Sequence, residues 1–128
     1  MKKFLTTLIA ASLLTLGAAS ASAQTAPKSV IHVVTIAWKP GTTPEQIKAV
    51  LDGVKALPAA YKGITHVWTN SIKVQNAKGV EKPRTQVIVM EFADEAALKN
   101  YKDSPAQEEW YKVYMPVRDE STTHDITN

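Results

Sequence analysis

The chain has no cysteine anywhere in its 128 residues, only two phenylalanines and five glycines. Without thiols there is no disulfide framework and no thiolate chemistry, so stability has to come from an apolar core. No run of Lys or Arg occurs, and no basic stripe carries interleaved aromatics, which excludes the usual footprint of a nucleic-acid binder. There is no glycine-rich phosphate loop and no nucleophile elbow. Internal repeats, low-complexity tracts and a second domain's worth of pattern are missing too. The chain reads as a single domain.

One long apolar run is present, at the start. Lys2 and Lys3 precede a stretch from Phe4 to Ala19 that only Thr6, Thr7, Ser12 and Thr15 interrupt among its larger residues, and Ala21-Ser22-Ala23 follows. A positive end, an apolar middle and a small-residue cleavage site are the three parts of a secretory signal. The run is short for a membrane span of about 20 residues, and no cysteine follows it to carry a lipid. The expectation is an exported protein, in the periplasm or secreted, cleaved after Ala23 and free of the membrane thereafter. Residues 24–29 read as a flexible leader and 30–128 as the domain. The signal takes two of the 15 Lys+Arg and none of the 12 Asp+Glu, so 13 cations face 12 anions and the net charge falls to about +1. A domain of about 105 residues buries only around two-thirds of its surface. Association is one way to bury more.

The patterning gives the order of elements. VIHVVTIAW (30–38) is β-branched and reads as a first strand, with His32, Val34, Ile36 and Trp38 on one face and Ile31, Val33, Thr35 and Ala37 on the other. Both faces are mostly apolar, so both call for cover. Thr43-Pro44-Glu45-Gln46 is a capping box with proline at the first helical position, and Ile47, Val50, Leu51, Val54 and Leu57 form a helical stripe that Pro58 ends. A second strand runs from Ile64 to about Val74, with mixed polarity suited to a sheet edge. An exposed hairpin loop follows, over residues 75–83. The third strand covers 85–92. Asp94 caps one helix, and Ser104-Pro105-Ala106-Gln107 opens another as a second capping box, with Pro116 marking its end. Ser121 to Thr127 is the fourth strand. The order β-α-β-β-α(α)-β is ferredoxin-like: an α+β fold with an antiparallel four-stranded sheet and its helices on one face. Right-handed crossovers place the first and third strands centrally, with the fourth beside the first. The other face then presents Ile31, Val33, Val87, Val89 and Glu91 uncovered, and the economical cover is a second copy, sheet against sheet.

Three segments, VIHVVTIAWKPGTTPEQI, TQVIVMEFADEAALKNYKDSPAQ and the terminal DITN, taken together resemble the stress-responsive dimeric α/β-barrel domain family over nearly the whole mature chain. The resemblance implies the ferredoxin-like fold and a homodimer whose sheets form a barrel. Plant members of that family cyclise linear polyketides by aldol condensation, using a first-strand histidine and a tyrosine late in the second helical segment. His32 and Tyr101 stand at those places. Where those enzymes carry His-Pro-Ala-His this chain has Ser104-Pro105-Ala106-Gln107, and Val54 falls about where they have a pocket tyrosine.

His32 is the leading candidate for chemistry, because imidazole as a side-chain type exchanges protons near neutral pH. Its competing role is a hydrogen-bonded histidine at the edge of the core. A pocket between sheet and helices, bounded by Val34, Ile36, Trp38, Val54, Ile88, Met90, Gln107, Trp110 and Val113, is expected to hold a small apolar or aromatic molecule. Tyr101, Trp110, Tyr114 and Trp38 supply aromatic surface, although such residues at helical spacing also serve as plain core. His66 and His124 fall at the same end of the sheet as His32. A zinc site needs about three converging ligands, and nothing forces His66 onto the same face, so no metal is expected. No axial-ligand signal for haem is present and no cofactor is expected. Glu91, on the outer face, needs a partner, with Arg84 and Arg118 as candidates. Two functions remain open: binding of a small molecule, or cofactor-free proton transfer on a carbonyl compound by His32 with Tyr101. A dimer with a filled core and no ligand is the third.

Overall fold

A computed structural model describes residues 28–127. The secretory leader expected over residues 1–23 lies outside the described residues, as do 24–27 and Asn128. Eight elements follow one another: β1 (Val30–Trp38), α1 (Pro44–Lys55), α2 (Leu57–Ala60), β2 (Ile64–Ser71), β3 (Gln86–Phe92), α3 (Glu95–Tyr101), α4 (Pro105–Tyr114) and β4 (Arg118–Ile126). The sheet has the order β2-β3-β1-β4 with every neighbouring pair antiparallel. This is the ferredoxin-like arrangement expected from the pattern.

Period-two alternation sorts the strands into two faces. Val30, Val34 and Ile36 on β1 and Ile88, Met90 and Phe92 on β3 are buried under the helices, where Val50 and Val54 of α1 meet them. Each such side chain taken from water is worth about 1.5–3 kcal/mol. Helix starts are chemically fixed. The Thr43 hydroxyl accepts from Gln46 N while the Gln46 side chain accepts from Thr43 N, and Pro44 occupies the first turn. Asp94 accepts from Ala97 N at the start of α3.

Three boundaries and one cap differ from the sequence expectation. The first helix stops at Lys55, and Leu57–Ala60 forms a separate turn with Pro58 near its start, because proline fits an opening turn where it cannot continue an old one. β2 ends at Ser71, where its ladder partner β3 begins at Gln86. β4 begins at Arg118, three residues early, because a bulge between Ala37 and Trp38 keeps Arg118 in register with Trp38. Its charged opening is held from the side by Lys82 on Asp119 and Glu120 and by Arg84 on Glu120. The second capping box is half a box: Ser104 Oγ accepts from Gln107 N, but the Gln107 side chain accepts from Asp103 N at 2.7 Å instead of from Ser104 N. Asp103 makes this reach from a left-handed backbone with φ 61°, which a short polar residue tolerates best after glycine.

Candidate functional site

The strand register brings the first components together. His32 of β1 lies opposite Asp125 of β4 on the helix side of the sheet, and its Nδ1 is 2.5 Å from Asp125 Oδ1. A carboxylate can only accept, so Nδ1 donates and the imidazole proton sits there. Nε2 is left without a hydrogen-bond partner among the described residues. The ring is set edge-on against Phe92 with centroids 5.8 Å apart and is 17% exposed. It is therefore oriented from two sides and still reachable.

His32 stands between two adjacent spaces that share part of their lining. The inner one, about 100 Å³, is walled by Val34, Met90, Trp110, Tyr114, Arg118 and Ser121. The outer one, about 380 Å³ and open to solvent, is edged by Leu98, Lys99 and Lys102. His32, Tyr101, Gln107, Tyr111 and Thr123 border both. Tyr101 comes from the last turn of α3, Gln107, Trp110, Tyr111 and Tyr114 from α4, and Arg118 from the start of β4. The local αα connection at Asp103–Ser104 thus turns two helical aromatic sets toward the same strand histidine.

The inner space is polar in an unusual way. The hydroxyls of Tyr101 and Tyr114 and Nε of Arg118 are buried and lack a hydrogen-bond partner. An orphaned buried polar atom costs about 1–3 kcal/mol, so three around one small space mark a place prepared for something else. Burial pushes the Tyr101 phenol well above its ordinary range, with the neighbouring Tyr111 adding to the effect. Burial also raises Tyr114, against the opposing influence of Ser121 and Arg118, which lie near its hydroxyl without completing a hydrogen bond. Both phenols stay protonated at neutral pH and can donate. Trp110 fixes Tyr114 by stacking at 4.5 Å between centroids and is itself tied by Nε1 to Val50 O at 3.0 Å.

Of the residues expected in the pocket, Val34, Met90, Gln107 and Trp110 line the inner space together with His32 and Tyr101. Ile36, Val54 and Ile88 do not: they are fully buried in the core. Trp38 packs edge-on against Tyr114 from outside the space. Val113 is 41% exposed and borders a separate apolar groove between α1, α2 and α4, because it lies one helical position off the inward face that Trp110 and Tyr114 share. Sequence reasoning missed Asp125, Arg118, Tyr111, Ser121 and Thr123. An acid next to the last residue of the final strand, in a strand adjacent to β1, was the signal for Asp125; nothing local marked Arg118.

The outer face holds Ile31, Val33, Val87, Val89 and Glu91, all half-buried. Glu91 is paired with neither arginine considered for it. Its carboxylate takes the Thr65 hydroxyl at 2.8 Å and His66 Nδ1 at 2.6 Å, which together hold it below its ordinary range. His66 stacks on Trp68, and His124 lies opposite Val33 on this same face. Both are thus on the far side of the sheet from His32. Among the described residues no group of three or more His, Cys, Asp or Glu is placed to hold a metal ion.

The family model described as Stress responsive A/B Barrel Domain matches residues 30–128. No curated protein is significantly similar to the chain. Among solved structures, a Dabb family protein with a ferredoxin-like fold from Mesorhizobium loti is 23% identical with a TM-score of 0.61, over 78% of this chain and 96% of that one. Hydroxynitrile lyase from Passiflora edulis is 16% identical with a TM-score of 0.69, over 80% and 95%. A dimeric ferredoxin-like protein from Thermobifida fusca is 16% identical with a TM-score of 0.63, over 80% and 92%. At these identities the likeness is one of fold.

Proposed function

Given that the chain belongs to the stress responsive A/B barrel domain family, we propose that it is an exported homodimeric pocket protein that moves a proton on a small carbonyl compound. The observation that carries this reading is the His32–Asp125 pair, 2.5 Å long, at the edge of a chamber that also holds the unpartnered Tyr101 hydroxyl. Asp125 keeps the imidazole proton on Nδ1, so Nε2 offers a lone pair toward bound substrate. Nε2 takes a proton from the carbon next to the carbonyl; the C–H electron pair forms the new C=C bond as the carbonyl π pair moves onto oxygen. Tyr101 donates to that developing enolate oxygen. The imidazolium then returns the proton to carbon, or gives it to solvent and returns another. Nothing else is consumed.

Self-association is supported by the uncovered sheet face. Ile31, Val33, Val87 and Val89 run across it, and Trp68 and Ile126 at its edges are 51% and 57% exposed. A contiguous apolar sheet face of this kind marks a protein contact, and solved relatives in fold are dimeric. A second reading, binding without chemistry, is favoured by the aromatic wall of Tyr101, Trp110, Tyr111 and Tyr114.

Proton nuclear magnetic resonance in deuterated water separates the two. The methyl groups of pyruvate and of its neutral methyl ester serve as probes. The wild-type protein is expected to speed deuterium uptake, and His32→Gln to lower that rate by about a hundredfold while the melting temperature stays within a few degrees. Exchange no faster than buffer, or undiminished in His32→Gln, would sink the catalytic reading and leave binding.

A further inference from the structure

We infer that the inner chamber is a carboxylate pocket, so that the preferred ligand is a small 2-oxo or 3-oxo acid anion whose carboxylate is held by Arg118. The inference rests on the proposed function for the carbonyl end of the ligand and adds the identity of the other end.

Four observations converge on it. The chamber holds one fixed cation, Arg118, and none of its lining residues is acidic. The carboxylate bonded to its lining, Asp125, is committed to His32. Arg118 spends one terminal nitrogen on Ser121 Oγ at 3.1 Å and keeps its Nε unpartnered and buried. Guanidinium nitrogens point outward in a fixed plane, and a buried one without an acceptor calls for an oxyanion.

Tyr114 supplies a further donor to the carboxylate, beside the Tyr101 that serves the carbonyl. Tyr101 is 3% and Tyr114 4% exposed, and neither hydroxyl has a partner. Their aromatic rings cannot turn elsewhere: Tyr114 is clamped between Trp110 and Trp38 and carries the Arg118 guanidinium 5.9 Å from its ring centroid. The Tyr114 hydroxyl and one guanidinium N–H, on residues that line a space of about 100 Å³, match the head of a carboxylate better than any apolar group, and Tyr101 is left for the carbonyl oxygen. The chamber is too small for more than a few heavy atoms, so the body of the ligand passes His32 into the larger outer space.

Approach is also selective by charge. Lys99 and Lys102 stand exposed on the rim of the outer space, and neither is in an ion pair among the described residues. Cations at the mouth of a cleft raise the local concentration of anions and the rate at which they enter.

The test is equilibrium binding to the full chain by calorimetry, with pyruvate against methyl pyruvate, which replaces the anion by an ester of similar shape. Pyruvate is expected to bind about tenfold or more tightly than the ester, a margin typical of one charge-assisted pair. Arg118→Gln is expected to remove the preference, and Arg118→Lys to restore part of it. Acetate is expected to displace pyruvate from the wild-type protein while acetamide does not, which keeps the question answerable even if the variants fold poorly. A wild-type protein that prefers pyruvate yet shows no deuterium uptake would count against the proton-transfer reading alone, so a failure of that reading and a failure of this one show different results. Equal affinity for the two probes in the wild type, or a preference that survives in Arg118→Gln, would overturn the assignment.

Discussion

At the scale of single residues, the site is defined by polar groups that the fold leaves incomplete. Tyr101 is the clearest case. Its hydroxyl is buried and unpartnered, a cost that a phenylalanine at the same place would avoid. Tyr101→Phe is therefore predicted to raise stability by about 1 kcal/mol and to slow deuterium exchange into the ketone probes. A merely structural tyrosine would give neither gain nor loss of that kind. The same burial sets a pH dependence. The folded phenol ionises above its ordinary value of 10.0 while the unfolded one does not, so the folded state binds more protons in that range. Stability is complete below the ordinary value and declines as pH rises past it, and the decline is shallower in Tyr101→Phe. Thermal unfolding of both proteins across alkaline pH reads both effects. His32 and Tyr101 were legible in the sequence because strand alternation and a family pattern pointed to them. Asp125 was not, since its role follows from a strand register that sequence patterning cannot fix: a shift of one residue would have sent it to the other face.

At the scale of elements, the caps were the most readable part of the chain and the strand ends the least. Thr43-Pro44-Glu45-Gln46 formed the expected box because both partners are local. Arg118-Asp119-Glu120 gave no strand signal, since three charged residues become a strand only when β1 is there to pair with them and Lys82 and Arg84 lie alongside. The contact between α1 and α4 offers a test in which two effects compete. Gly53 sits under Trp110, whose Cδ1 would lie 3.0 Å from an added Cβ. Alanine in a helix interior gains about 1 kcal/mol over glycine, whereas overpacking costs about 1–3 kcal/mol. Trp110 cannot move aside, because it is stacked on Tyr114 and hydrogen-bonded to Val50. Gly53→Ala is predicted to destabilise the protein on balance, by about 1 kcal/mol, in chemical denaturation. A gain in stability would mean that α4 yields.

At the scale of the molecule, the sheet divides the protein into a helix-covered side that holds the candidate site and an apolar outer side that the proposed dimer would cover. The residues that line the inner space lie on the helix side, and among the described residues the apolar outer face carries no comparable cluster of unpartnered polar atoms. The alternation of β1 and β3 made this division visible from sequence, because an antiparallel sheet with helices on one face cannot cover both apolar rows. Val89, at the middle of the outer face and paired with Val33 and Trp68, is the position to disturb. Val89→Lys is predicted to convert a dimer into monomer or aggregate in light scattering, since a buried ammonium at a self-contact is costly. A variant that stays dimeric would place the contact elsewhere. The floor of the pocket was the part hidden from sequence: Val113, Ile36, Val54 and Ile88 were expected in it, but helical phase and depth put the first outside and the others in the core. The whole account turns on one lone pair, that of His32 Nε2. The most direct test is a long-range proton–nitrogen correlation spectrum of the histidine rings at mildly alkaline pH. The account predicts that His32 carries its proton on Nδ1, with Nε2 bare and shifting when pyruvate is added. A ring protonated on Nε2, or one indifferent to the ligand, would contradict it.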